Sequence, residues 1–195
     1  MNDRLNQISK LIPKDVESIL DIGCRDKFLR SFAKKYTGLD LENADINQDL
    51  NKNQKLKLKD SSYDLIIFSQ ILEHITDPRQ LISEAKRVSK KYIIVGLPTE
   101  LTLDNRFRFF FGKISGEAWG GFNIYGHKHF FTVDTIEKFI LDVFGKYSQK
   151  HYIFGVKGGR FLPLKIRLSL AKTSPKLFAK EIYYLIEKPN FSKET

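Results

Sequence analysis

The 195-residue chain predicts an α/β fold: a mostly parallel, seven-stranded sheet with helices on both faces and an antiparallel edge strand. Two observations carry this. Short apolar runs of strand length alternate with segments whose apolar residues recur at helical spacing, the order of successive β-α-β units. A strand also ends at Gly23, and an acidic residue, Asp40, closes the next strand 17 residues later, where open α/β sheets bind ligands.

Residues 2–12 read as a short amphipathic helix closed by Pro13, and Val16 to Ile22 as a buried strand. After the turn at Gly23, Leu29, Phe32, Ala33 and Tyr36 repeat at helical spacing, so Asp26 to Tyr36 is expected to be helical. Strands follow at Thr37–Leu41, near Asp45–Gln48 and at Tyr63–Ser69. Pro78 suits the first turn of a helix with Leu81, Ile82, Ala85 and Val88 as its buried stripe, and Tyr92–Gly96 reads as the next strand. Ile136, Phe139, Ile140, Val143 and Phe144 give another helix, and strands near 148–156 and 181–187 are expected to pair at the sheet edge. The segment 157–180 has no clear pattern and is set apart as a basic insert.

The composition is globular, 42% hydrophobic and 29% charged, and fits one domain over residues 1–195. No apolar run approaches the ~18 residues of a spanning helix, the N-terminus lacks the apolar stretch of a signal peptide, and Cys24 has no second cysteine to pair with. A cytoplasmic protein is expected, peripheral to a membrane at most. The formal charge of +10 suggests an anionic partner but is shared by many ordinary enzymes, and the last 41 residues hold nine Lys or Arg against three Glu. Residues 97–132 depart from the β-α pattern: nine aromatics fall between Phe107 and Phe131, with Gly120 and Gly121 beside Trp119. This segment is expected to be a lid over an acceptor.

The specific unit is Ile19-Leu20-Asp21-Ile22-Gly23-Cys24-Arg25-Asp26, followed by Gly38-Leu39-Asp40, Tyr63-Asp64-Leu65-Ile66-Ile67 and Ile71-Leu72-Glu73-His74-Ile75. In this order it resembles the class I S-adenosylmethionine-dependent methyltransferases, in particular the type 11-like group with a Leu-Glu-His turn after the fourth strand. The resemblance spans residues 16–100, and more loosely reaches 150. It implies a Rossmann-like methyltransferase fold and S-adenosylmethionine as cofactor. Asp40 would take the ribose hydroxyls, a role its strand-end position also supports. By the same resemblance Asp21, Gly23 and Cys24 lie in the loop at the methionine moiety, Leu41 beside the adenine, and Asp49 and Leu50 near the adenine amine. Ser69 and Gln70 would face the methionine amine and the methyl donor. The family commonly has glycines where Arg25 and Lys27 stand; an Arg there either pairs with the cofactor's carboxylate or fills the pocket.

His127 and His129 are the candidate catalytic residues, because a histidine near its ordinary pKa of ~6.5 can accept an acceptor's proton. Each can equally stack or bond within the insert. Glu73 and His74 either serve the site or anchor their turn, and Cys24 reads as a packed residue, not a nucleophile. No metal is expected, since the His-x-His pair has no cysteine or clear carboxylate near it in sequence. The function expected is methyl transfer to a small-molecule or glycan- or lipid-linked acceptor, at oxygen. Two alternatives stay open: RNA methylation, favoured by the basic C-terminus but lacking the Asn/Asp-Pro-Pro-aromatic motif, and a non-catalytic scaffold. An anionic membrane surface is a further candidate partner, suggested by the Arg106-to-Phe111 cluster and by Arg160–Leu168.

Overall fold

The computed structural model describes residues 3–25, 27–112, 126–155 and 162–188. Strands β1 (Ser18–Ile22), β2 (Lys35–Asp40), β3 (Ile46–Asn47), β4 (Tyr63–Ser69) and β5 (Ser89–Pro98) run parallel to one another. The chain ends in an antiparallel exchange: β6 (Gln149–Phe154) is the edge, and β7 (Ala179–Glu187) inserts between it and β5. The sheet order is β3-β2-β1-β4-β5-β7-β6.

Strand alternation divides the core between two faces. Leu20, Ile22, Ile66, Phe68, Ile93 and Val95 point to one face, where α2 (Pro78–Val88) supplies Leu81, Ile82, Ala85 and Val88 and α4 (Val133–Phe144) supplies Ile136 and Ile140. Ile19, Leu65, Ile67 and Ile94 point to the other, under Ile8 and Leu11 of α1 (Asp3–Leu11) and Leu29. Each such fully buried aliphatic side chain contributes about 1.5–3 kcal/mol of transfer free energy.

Local chemistry sets the helix starts. The Asp77 carboxylate accepts from the backbone N–H groups of Arg79 (3.1 Å) and Gln80 (3.2 Å) ahead of Pro78, whose missing N–H costs nothing there. Thr132 and Thr135 form a reciprocal capping box at the start of α4.

One expected element is absent. In place of a helix over 26–36 there is a single 3-10 turn, Arg30–Phe32, and β2 has begun by Lys35. The parallel register pairs Ser18 with Lys35, so only twelve residues, 23–34, join β1 to β2. Arg25 (φ 33°) and Lys27 (φ 50°) hold left-handed backbone, which cannot start a right-handed helix. The helically spaced residues still reach the core: Leu29 is buried, and Phe28, Phe32, Ala33 and Tyr36 pack around it.

The basic segment contains two helices, α5 (Leu164–Thr173) and α6 (Pro175–Phe178), between β6 and β7. Within 97–132 the chain forms α3 (Leu103–Phe110), then returns at 126–132 across the carboxyl ends of β4 and β5. Trp119, Gly120, Gly121 and Phe122 lie outside the described residues, as do Asp26, Arg160 and Phe161. Among the described residues no helix is long and apolar enough to cross a membrane.

Candidate active site

The register places the carboxyl ends of β1, β2 and β4 side by side, with Ile22 opposite Leu39 and Phe68. The loop leaving β1 turns at Gly23 (φ 78°), whose N–H donates to Leu39 O at 2.8 Å. A Cβ at Gly23 would lie 2.8 Å from the Cβ of Ile71, so the residue after the acidic Asp21-Ile22 pair has to be glycine for two reasons. Gly38 admits the loop equally closely, since a Cβ there would sit 2.6 Å from Cys24 Sγ.

Asp40 lies at the end of β2. Its Oδ2 accepts from Arg25 N (2.9 Å) and its Oδ1 from Leu41 N (2.7 Å), so the proposed ribose ligand is tied directly to the β1 loop. Each oxygen keeps a further lone pair for a hydroxyl donor. Leu41 beside it is an exposed apolar side chain. Asp21 is 2% exposed and accepts from Tyr36 Oη at 2.8 Å; burial, opposed by this bond and reinforced by the charge of Asp40, pushes its pKa up to about 6. The Cys24 thiol is pushed up to about 11, first by burial and then by Asp21 and Asp40, which fits packing and not nucleophilic attack.

Asp49 accepts from Asn51 N (3.0 Å) within a turn, and Leu50 is buried in the core, while Gln48 N donates to Asp40 O at 2.8 Å. The loop is therefore fastened beside Asp40, with Leu50 serving packing. Ser69 Oγ lies 3.0 Å from Tyr183 Oη, and Gln70 adopts positive φ (60°) with its Nε2 buried and without a hydrogen-bond partner. An orphaned buried amide donor next to Gly23 and Asp40's strand ends is the kind of group a polar ligand satisfies.

A second cluster stands at the ends of β4 and β5, where the sequence had offered His127 and His129 as catalytic candidates and left Glu73 and His74 between site and turn anchor. Lys128 N donates to Glu73 O (2.7 Å) and Glu100 N to Phe131 O (2.8 Å), pinning 127–131 over the Leu72–His74 turn. His127 Nδ1 then meets Glu100 Oε1 at 2.7 Å, and its ring stands edge-on to His74 with centroids 4.8 Å apart. Glu73 is 1% exposed; burial above all, together with Glu181 and Glu100 and against the pull of His127, drives its pKa up to about 8. Its Oε2 has no partner. His129 points elsewhere, with Nε2 2.8 Å from Ile75 O, and so fastens the turn. Arg4 holds buried Glu181 through two bonds of 2.8 Å, and Tyr183 Oη also donates to Glu181 (3.2 Å).

Glu100, Glu181 and Arg4 were not foreseen. Glu100 carried a readable signal, an acidic residue just past the carboxyl end of a parallel strand, the same rule that found Asp40. Arg4 and Glu181 lie 177 residues apart and had none.

A family model described as a methyltransferase domain matches residues 1–141. The chain belongs to this methyltransferase-domain family. Solved structures agree in fold: a SAM-dependent methyltransferase from Archaeoglobus fulgidus superposes with a TM-score of 0.62 at 20% identity, covering 95% of this chain and 92% of that one. An S-adenosylmethionine-dependent methyltransferase from Mesorhizobium loti gives 0.60 at 14% identity, covering 96% and 98%. Phosphoethanolamine N-methyltransferase 2 of Haemonchus contortus, solved with phosphomonomethylethanolamine and S-adenosylhomocysteine, gives 0.58 at 13% identity, covering 97% of this chain and 53% of its own. No curated protein sequence matches. The methyltransferase domain thus has the seven-stranded Rossmann-like sheet expected of it, with the antiparallel exchange at the edge.

Proposed function

We propose that this methyltransferase domain transfers a methyl group from S-adenosylmethionine to the oxygen of a small-molecule acceptor, glycan- or lipid-linked. The observation that carries the reading is the tie between Asp40 and the Gly23 loop, which gathers a ribose-binding carboxylate, a glycine cradle and the orphaned Gln70 amide at three adjacent strand ends. These residues fit the cofactor: Asp40 would accept from the ribose hydroxyls, exposed Leu41 would cover the adenine, and Asp21 would favour the cationic methionine end. Gln70 Nε2 supplies a donor for the carboxylate. S-adenosylmethionine, when bound, supplies an electrophilic methyl on a sulfonium, so the protein's part is alignment, exclusion of water and removal of one proton.

The buried cluster at β4 and β5 supports the last of these. His127, held by Glu100 at 2.7 Å, is placed to take the acceptor's proton, with Glu100 fixing the ring and stabilising the charge it gains. His129 serves as a positioning residue through Ile75 O. An acceptor drawn from an anionic surface suits α3, which exposes Phe107 (59%), Phe110 (83%) and, just beyond it, Phe111 (69%) beside Arg106 and Arg108.

S-adenosylhomocysteine formation over a panel of hydroxylated acceptors tests the reaction. His127→Gln is expected to lower turnover by about 10²- to 10⁴-fold with cofactor affinity preserved. Turnover unchanged in that variant would remove His127 from the chemistry.

A further inference from the structure

We propose that Glu73, His74 and His127 form a binding site for one divalent transition-metal ion of the zinc or ferrous class, facing the acceptor. One carboxylate oxygen of Glu73 and one ring nitrogen from each histidine lie within 4.8 Å of one another, and Glu73 Oε1 is 4.0 Å from His74 Nε2. Donors bound at about 2.1 Å to a single tetrahedral ion stand about 3.4 Å apart. Side-chain rotation of an ångström or so closes the difference, and the backbone is already set: the Leu72–His74 turn carries two donors, and the Lys128 N to Glu73 O bond presses His127 against it.

Two further observations point to a ligand. Glu73 is a buried carboxyl whose Oε2 is unpartnered, and the buried carboxyls of Glu100 and Glu181 are near enough to act on its charge. Such a concentration of buried carboxylates is costly unless cations stand among them, and Arg4 and Lys180 pair with Glu181. The Glu100–His127 contact is moreover the arrangement that metal-binding histidines use: one ring nitrogen on a carboxylate, which fixes the tautomer and makes the other nitrogen the stronger donor. Two imidazoles and one carboxylate match borderline ions in preference to magnesium or calcium, and leave coordination positions open for an acceptor oxygen. The sequence argued against a metal because His127-Lys128-His129 showed no carboxylate neighbour. The fold breaks that pair, sending His129 to Ile75 O and supplying His127 with Glu73, His74 and Glu100 instead.

The inference rests on the proposed reaction for its purpose, since the cluster is read as the acceptor's, and with an ion bound the remaining ring nitrogen of His127 holds the metal and is no longer the acceptor's base, the ion lowering the acceptor's pKa in its place; its test does not depend on that reading. Full-length protein stripped with a chelator is titrated with Co²⁺ and followed by visible absorption, with far-UV circular dichroism confirming the fold of each variant. One equivalent giving ligand-field bands, displaced by Zn²⁺, is expected. Glu73→Gln and His127→Ala are expected to abolish the bands, and Glu100→Gln to weaken binding about 10- to 100-fold. Absence of bands, or bands that survive in folded His127→Ala, would overturn the proposal. S-adenosylhomocysteine binding is measured on the same samples: cobalt without nucleoside binding defeats only the methyl-transfer reading, and the reverse defeats only the metal site.

Discussion

Asp21 is ionised at a cost. Free in the unfolded chain an aspartate titrates near 3.9, whereas the folded value is about 6 because burial penalises the charge. Between those values the native state binds the extra proton, so this group's contribution to stability declines as pH rises from about 4 to about 6 and is level above that. The total is about 3 kcal/mol, an order-of-magnitude figure. Asp21→Asn keeps an acceptor for Tyr36 and removes the charge. The variant is therefore expected to melt above the wild type at pH 7, with the advantage vanishing at pH 4, in thermal unfolding at the two pH values. An equal offset at both would show that the carboxylate is not strained. A charge retained against stability suits the proposed cofactor, whose methionine end carries the cationic sulfonium and amine. This residue and Asp40 were legible in the sequence because the rule that finds them is local: an acidic side chain at a parallel strand's carboxyl end. The Glu100–His127 contact was not, because it depends on residues 126–132 folding back over β4 and β5.

At the scale of elements, the central strands β1, β4 and β5 were legible because each is built on a run of buried, mostly apolar residues, and β4 occupies the expected Tyr63–Ser69. The failure over 26–36 is instructive. Helical spacing of Leu29, Phe32 and Tyr36 reports a buried face, and a tight irregular connection can bury the same residues. The spacing carries no record of the twelve-residue span or of the left-handed Arg25 and Lys27 that forbid a helix there. Arg25 shows also that the backbone shape usually given by glycine is kept here with a side chain present. The helix α3 makes a prediction of its own. Its uncovered phenylalanines, which follow Arg106 and Arg108, are expected to insert into anionic vesicles, and Phe110→Ser with Phe111→Ser to cut partition about tenfold or more in cosedimentation. Equal binding by the double variant would assign the phenylalanines to another role.

Across the whole molecule, the sheet sets the ends of β1, β2 and β4 against those of β5 and β7, so that the half proposed to bind the nucleoside and a carboxylate–histidine half share one edge. The Ser69 hydroxyl, 3.0 Å from Tyr183 Oη, lies at the join. The overall sheet was legible from β-α alternation alone, whereas the second half of the site needed contacts between residues as distant as Arg4 and Glu181. The central claim is that the first half binds S-adenosylmethionine through Asp40. Calorimetric titration of the wild type and of Asp40→Ala with S-adenosylmethionine and S-adenosylhomocysteine tests it most directly. The account predicts micromolar binding to the wild type, weakened by about 1–3 kcal/mol in the variant; a folded wild type that binds neither compound, or a variant that binds as well, would contradict it.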